Sequence, residues 1–311
     1  MDFLIPAGGA TNLPKELVDK IVQEAVEKSL VLRMIESRGQ FIEIVNEGTV
    51  PVIGEESLDR VYRIDNTADI TTLNEMTFDV KSPDLAPVEL GTYIYLKTKQ
   101  VKQYPQLQME NLFRSKIARA IARTADKIAI KGDTTAVGAT NPLTVADGIE
   151  VLSAAGTAEA TPVGYTTSNA QNILDAVAEA QNSLGVYGED EDKENLIIFA
   201  SPNFLSAAKK SADKNMVGYD IEDVPSLGLK NVVHLHGIPV IKRMLLTGEK
   251  AILANMNGAF AGFFGNIEAD VEHKAGRRAD LLVVTYWFDF KWALTSGDGD
   301  YNCLVLIEKT T

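Results

Sequence analysis

The sequence predicts an α+β fold organised around one long, two-faced helix, and three observations carry that expectation. ENLFRSKIARAIARTADKIAIKGD (110–133) places Ile117, Ile121, Ala125 and Ile128 at helical spacing, a seam fit to bury, and should end at Gly132. Ahead of it, MTFDV (76–80) and ELGTYIYLKTKQV (89–101) alternate with period two, which predicts two long strands as antiparallel neighbours. In the second strand Leu90, Thr92, Ile94 and Leu96 share one face, and Tyr93 and Tyr95 the other. Late in the chain VVHLHG, IPVIKR, AILAN, AFAGFF, IEADVEHK, LLVVTYWFDFKWAL and YNCLVLIEK follow one another across short turns and read mostly as strands. The last of them could return to either layer.

The remaining elements follow in order. Asn12 is expected to cap a first helix from about Pro14 to Ile35, with the proline tolerated in the first turn. Leu17, Val18, Ile21, Val22, Ala25 and Val26 form its apolar face. FIEIV (41–45) and VPVIG (50–54) are short strand-like pieces. EESLDRVYRIDNTADITTLNEMTFDV (55–80) reads as two extended arms around a turn near 65–69, a hairpin marginal in water unless it lies on a surface. A loop-rich piece from about 136 leads to a helix at 168–185 that stops at a glycine, and the acidic loop GEDEDKE (188–194) follows. Strand NLIIFA (195–200) then runs into a helix with Ser201 as cap and Pro202 at its first position.

Charge raises the functional question. The net charge is −13, which argues against dedicated nucleic-acid binding, so any positive site must be local. The long helix carries Lys116, Arg119, Arg123, Lys127 and Lys131 at steps of three, four, four and four, a single basic stripe opposite the apolar seam.

Other chemistry is sparse. No run approaches the roughly 18 to 20 apolar residues of a membrane helix, and the opening MDFLIPAGGATN does not read as a secretory signal. Cys303 is the only cysteine, so neither an internal disulfide nor a multi-cysteine metal site is expected, and the chain reads as a soluble protein of a reducing cytoplasm. There is no GxxxxGK[ST], HExxH, CxxC or GxSxG, so no catalytic residue, cofactor or metal is expected. GDGDYN (297–302) has Asn302 where a glycine fingerprint needs its third glycine, and reads as a turn. His234 and His236 share a strand face without a third ligand, and packing is the expected role. The acidic loop lacks calcium-site spacing and reads as solvated. Trp287 and Trp292 are expected to pack in a strand-rich core.

The order of these pieces resembles the major capsid proteins of tailed bacteriophages, the Hong Kong 97-type fold shared with encapsulin nanocompartments. The likeness spans nearly the whole chain and rests on four stretches: residues 76–133, ending in the glycine-aspartate after the helix; NLIIFASPNFLSAAKK (195–210); LHGIPVIKR (235–243); and RRADLLVVTYWFDFKWAL (277–294). The resemblance implies an N-terminal arm and helix at 1–45 and an extended loop at 46–75 that overlaps a neighbouring subunit. It implies a peripheral domain with its spine helix at 76–135, an axial domain at 136–260, and C-terminal strands at 261–311 completing both. The function implied is self-assembly, as hexamers and pentamers, into an icosahedral shell around a double-stranded DNA genome. The chain would then reside in the virion, after the host cytoplasm, with no membrane partner. An encapsulin-type shell is the alternative, and a soluble enzyme of unrecognised type a third.

Two departures from the family pattern matter. Up to residue 80 the only lysines are Lys15, Lys20 and Lys28, so the extended loop has no nucleophile for the isopeptide crosslink that some members form; a non-crosslinked shell is expected. About a dozen residues precede the first helix, so scaffolding, like the portal, is expected to be a separate protein. The resemblance also implies that the spine helix lies along the inner layer, which leaves three partners for the stripe. It could face solvent with local pairs such as Arg123 with Asp126, acidic segments of adjacent subunits, or DNA phosphates in non-specific contact. The expectation is that it mainly offsets the acidic surplus within the shell. Arg60 and Arg63 on the hairpin are a second candidate for inter-subunit pairing.

Overall fold

The computed structural model describes residues 11–12, 15–37, 41–44, 85, 88–97, 106–136, 141–153, 162–166, 171–185, 188, 190–211, 218–274, 279–292 and 303–310. Up to residue 131 the described elements are β1 (Thr11–Asn12), α1 (Lys15–Lys28), α2 (Leu30–Ser37), β2 (Phe41–Ile44), β3 (Val88–Lys97) and the long α3 (Gln106–Lys131). Then come β4 (Val163–Tyr165), α4 (Gln171–Ser183), β5 (Leu196–Ala200), α5 (Pro202–Ser211), β6 (Tyr219–Val224), β7 (Leu229–Leu235), β8 (Ile238–Lys242) and β9 (Lys250–Asn255). Two long strands, β10 (Ala259–Lys274) and β11 (Ala279–Trp292), precede the closing β12 (Leu304–Lys309).

Among the described residues these strands form two sheets. One runs β1–β10–β11–β3, with β2 parallel to β10; the other runs β4–β12–β9–β5–β8–β7–β6. The late strands therefore divide: β10 and β11 join β3, whereas β12 returns to β9. The expected pieces AFAGFF and IEADVEHK are one strand, β10, with a register shift between Phe264 and Glu268. The neighbour of β3 is β11, antiparallel, with Leu90 opposite Tyr286 and Thr92 opposite Val284. The expected partner strand 76–80, the piece 50–54, the hairpin with Arg60 and Arg63, and the turn 297–302 lie outside the described residues.

Alternation decides what each sheet face covers. Leu90, Val284, Tyr286, Phe288, Phe290 and Trp292 are buried, and they join one core with α1, α2 and α3. On the opposite face Tyr93 and Tyr95 are 66% and 41% exposed. Strand β5 is buried throughout: Ile197 and Phe199 reach that same core, while Leu196 and Ile198 meet a second one under α4 and α5. A strand covered on both faces needs no polar alternation, which is why LIIFA is apolar without a break. Ser201 caps α5 as expected, its hydroxyl accepting from the Phe204 N–H at 3.2 Å.

The expected first helix is in fact two, and Asn12 is not its cap. Asn12 lies in β1, paired with Glu268 on β10. The break is at Ser29, whose hydroxyl accepts the Leu32 N–H at 3.1 Å and so caps α2, while donating to Asp126 Oδ1 at 2.7 Å. The same Oδ1 accepts the Val31 N–H at 3.3 Å, and Oδ2 takes the Arg243 guanidinium at 3.4 Å. One carboxylate on α3 thus joins the α1–α2 junction to the residue that follows β8.

Helix α3 ends where the sequence predicts, because backbones approach closely there. The Gly148 N–H donates to the Gly132 carbonyl at 2.9 Å, and a Cβ on Gly132 would lie 1.9 Å from the Ala146 carbonyl oxygen. Only a residue without a side chain fits.

Asp126→Ala leaves the mostly buried Arg243 without its carboxylate, and Arg243 Nε and Nη2 have no hydrogen-bond partner of their own. The expected loss is about 3 kcal/mol, read from denaturant unfolding, with Asp126→Asn losing less. A second expectation concerns acid. Burial would raise the Glu24 carboxyl, but hydrogen bonds from Lys28, Ser115 and Arg114 hold it below its ordinary value. Its contribution is therefore present above the ordinary carboxylate range and lost as pH falls through the lowered folded value. Glu24→Gln should destabilise the chain at pH 7 and flatten the acid limb of a stability-against-pH curve.

Candidate functional site

Helix α3 meets solvent through its cations. From Phe113 to Lys131 the exposed residues are Lys116, Arg119, Arg123 and Lys127; the others are buried or half-buried. Ile117, Ile121, Ala125 and Ile128 are buried as expected, and Ala118, Ala122 and Ala129 extend that seam. Helix α1 and strand β11 both pack against α3, and the four exposed cations form one narrow open strip. Over eleven residues the strip runs about 16 Å.

Three other charged residues of the helix, Arg114, Asp126 and Lys131, are engaged within the protomer. Arg114 Nε meets Glu24 Oε2 at 3.1 Å, and Lys28 pairs with the same carboxylate while donating to Ser115 Oγ at 2.8 Å. Lys131, expected as the fifth member of the stripe, is half-buried and pairs with Glu150 at 3.3 Å, where Lys250 joins it at 2.5 Å. The stripe is thus four cations long. Asp126 does not pair with Arg123, because it is turned inward to Ser29, Val31 and Arg243. Among the described residues, none of Lys116, Arg119, Arg123 and Lys127 has an acidic partner within 4.0 Å. Four exposed cations in line, without acidic partners among the described residues, suit a distributed anionic surface better than a small ligand.

His234 and His236 do not share a strand face: His236 lies in the β7–β8 turn with φ 51°. His236 Nε2 donates to the Leu174 carbonyl at 3.0 Å, and His234 Nδ1 to that of Val232 at 3.1 Å. No group of three or more metal-binding side chains occurs among the described residues. Burial pushes the Cys303 thiol up to about 12, which leaves it unreactive as a nucleophile. Trp292 is buried, with its ring 5.6 Å from that of Phe290. A cleft of about 350 Å³ opens between β3, α3 and the turn at 141–145, lined by Leu90, Gly91, Ala120, Thr124 and Tyr286 among others. Burial pushes the Tyr286 hydroxyl up to about 12, and it bonds to Thr124. The cleft gathers no acid–base pair suited to catalysis. Among the described residues, no helix is long and apolar enough to cross a membrane.

Sequence reading missed the role of Asp126 and the internal capture of Lys131. The partners of both come from distant parts of the chain, so spacing along the helix carried no signal of them.

Comparison with known proteins extends the fold to an identity. The model of the phage capsid family matches residues 9–189, more than half of the chain. No curated protein matches. The satellite phage P4 procapsid, a structure that includes the size determination (Sid) protein, aligns with TM-score 0.61 at 13% identity, covering 94% of this chain and 99% of that one. The capsid of an empty GTA particle aligns with TM-score 0.56 at 15% identity, covering 90% of each chain. The holo-SrpI encapsulin complex from Synechococcus elongatus PCC 7942 aligns with TM-score 0.51 at 11% identity, over 99% of this chain and 93% of that one. Such identities speak for shared architecture, and it is the family match that carries the assignment. With a Hong Kong 97-type fold over almost its whole length, this chain belongs to the phage capsid family and is a major capsid protein.

Proposed function

We propose that copies of this chain assemble, as hexamers and pentamers, into an icosahedral shell around the double-stranded DNA of a tailed phage, and that the α3 stripe is one of the contacts between copies. Residues 1–45 would serve as the arm, 46–75 as the loop that overlaps a neighbour, 76–135 with β10 and β11 as the peripheral domain, and 136–260 with β12 as the axial domain. Scaffolding and portal would be separate proteins, and Arg60 and Arg63 would pair with acids on the copy beneath. The observation that supports the stripe's part is the contrast on one helix. Arg114 and Lys131 are paired inside the protomer, whereas Lys116, Arg119, Arg123 and Lys127 are exposed and without acidic partners among the described residues. A chain with net charge −13 repels its own copies, so assembly needs local positive surface to set against the acidic surplus. A line of cations does this at each interface, and many modest contacts sum in a closed shell.

The likeness to an encapsulin supports a second reading, a shell around protein cargo. Particles purified from infected or expressing cells distinguish the two: nuclease-protected DNA is expected inside, and an enclosed protein without nucleic acid overturns the phage reading. Reversal of Arg119 and Arg123 to Glu is expected to abolish most particle formation by negative-stain microscopy. In the unmodified chain, raising salt should weaken assembly as the contact is screened. Normal particle yield from the reversed chain overturns the role given to the stripe.

A further inference from the structure

The chain carries a second line of exposed charge, opposite in sign to the stripe. Strand β6 lies at the end of the seven-stranded sheet among the described residues, and Asp220, Ile221, Glu222 and Asp223 are all exposed, so both of its faces meet solvent. Ile221 is 56% exposed. The strand is nonetheless held at both ends. Tyr219 packs against the core under α4 and α5, opposite Leu235. Beyond the other end Leu227 is buried, and its carbonyl accepts from Arg33 Nη1 at 2.5 Å. A ribbon anchored twice and bare between the anchors is a presented surface.

Its acids differ in their occupation. Asp223 accepts the Asn231 N–H at 2.8 Å, whereas neither Asp220 nor Glu222 has a basic partner within 4.0 Å among the described residues. Two residues apart on a strand, Asp220 and Glu222 share a face at a separation of about 6.7 Å. Four residues apart on a helix, Arg119 and Arg123 are separated by about 6 Å along its axis. The two spacings match, and within one protomer the groups do not pair. Simple strand addition along β6 is disfavoured, because the acids and the irregularity between Glu222 and Val224 interrupt a ladder at that edge.

We propose that Asp220 and Glu222 of one copy dock on Arg119 and Arg123 of the next. The proposal rests on the shell reading and names the partner of the stripe. Because the two surfaces differ, the contact is heterologous: each copy offers its stripe to one neighbour and its ribbon to another, and rings can close.

Charge exchange tests it. The variants are D220K/E222K, R119E/R123E and the combination of all four, with thermal melts of unassembled subunits to verify folding. Each pair reversal is expected to lower particle yield by about tenfold or more, and the combination to restore most of it. If the reversals misfold, D220N/E222Q and R119Q/R123Q, each alone, should reduce the salt dependence of assembly, and combining them should add little further. Normal yield from D220K/E222K, or no recovery in the combination, overturns the contact while wild-type particles leave the shell reading intact. Wild-type chain that never assembles overturns both. Normal particles of R119E/R123E that fail to retain DNA assign the stripe to nucleic acid instead.

Discussion

The interaction on which the rest depends is the seating of Asp126. Its carboxylate takes the Ser29 hydroxyl, the Val31 N–H and the Arg243 guanidinium, from the junction of the first two helices and from the end of a strand in the other sheet. A largely buried charge is tolerated only where partners converge on it. That convergence fixes the rotation of the long helix about its axis, which directs Ile117, Ile121 and Ile128 into the core and Lys116, Arg119, Arg123 and Lys127 outward. The basic face is therefore a consequence of where one acid is held.

Two kinds of charge use emerge from this arrangement. Inside the protomer, ion pairs join distant segments: Arg114 with Glu24, Lys131 and Lys250 with Glu150, Arg243 with Asp126. On the outside, a line of cations and an acidic ribbon stand apart from each other, and among the described residues Lys116, Arg119, Arg123, Lys127, Asp220 and Glu222 have no partner of opposite charge within 4.0 Å. A subunit whose work is repeated contact needs such a division. Groups satisfied internally tie the body of the protomer together, and groups left exposed are the ones the proposed contacts between copies would use.

Much of this was legible in the sequence. The period of the long helix, the alternation that separates Leu90 from Tyr93, the unbroken apolar run of LIIFA and the Ser201–Pro202 helix start all appear in the structure, because each is set by neighbours a few residues away. The break at Ser29 was not legible. A serine within a helical pattern is ambiguous until a distant carboxylate claims its hydroxyl. Nor was the loss of Lys131 from the stripe, since Glu150 lies nineteen residues further on and reaches it only through the close backbone approach of Gly132 and Gly148.

By itself the sequence determined where the long helix runs, which strand residues alternate, and that five cations would share a side of that helix; these are local periodicities that backbone geometry imposes on any chain. The tertiary structure decided how that helix is rotated, which of its charges find partners, and which sheet each late strand joins. Those outcomes depend on burial of charge and on pairing between segments far apart in the chain, and only the folded arrangement brings them together.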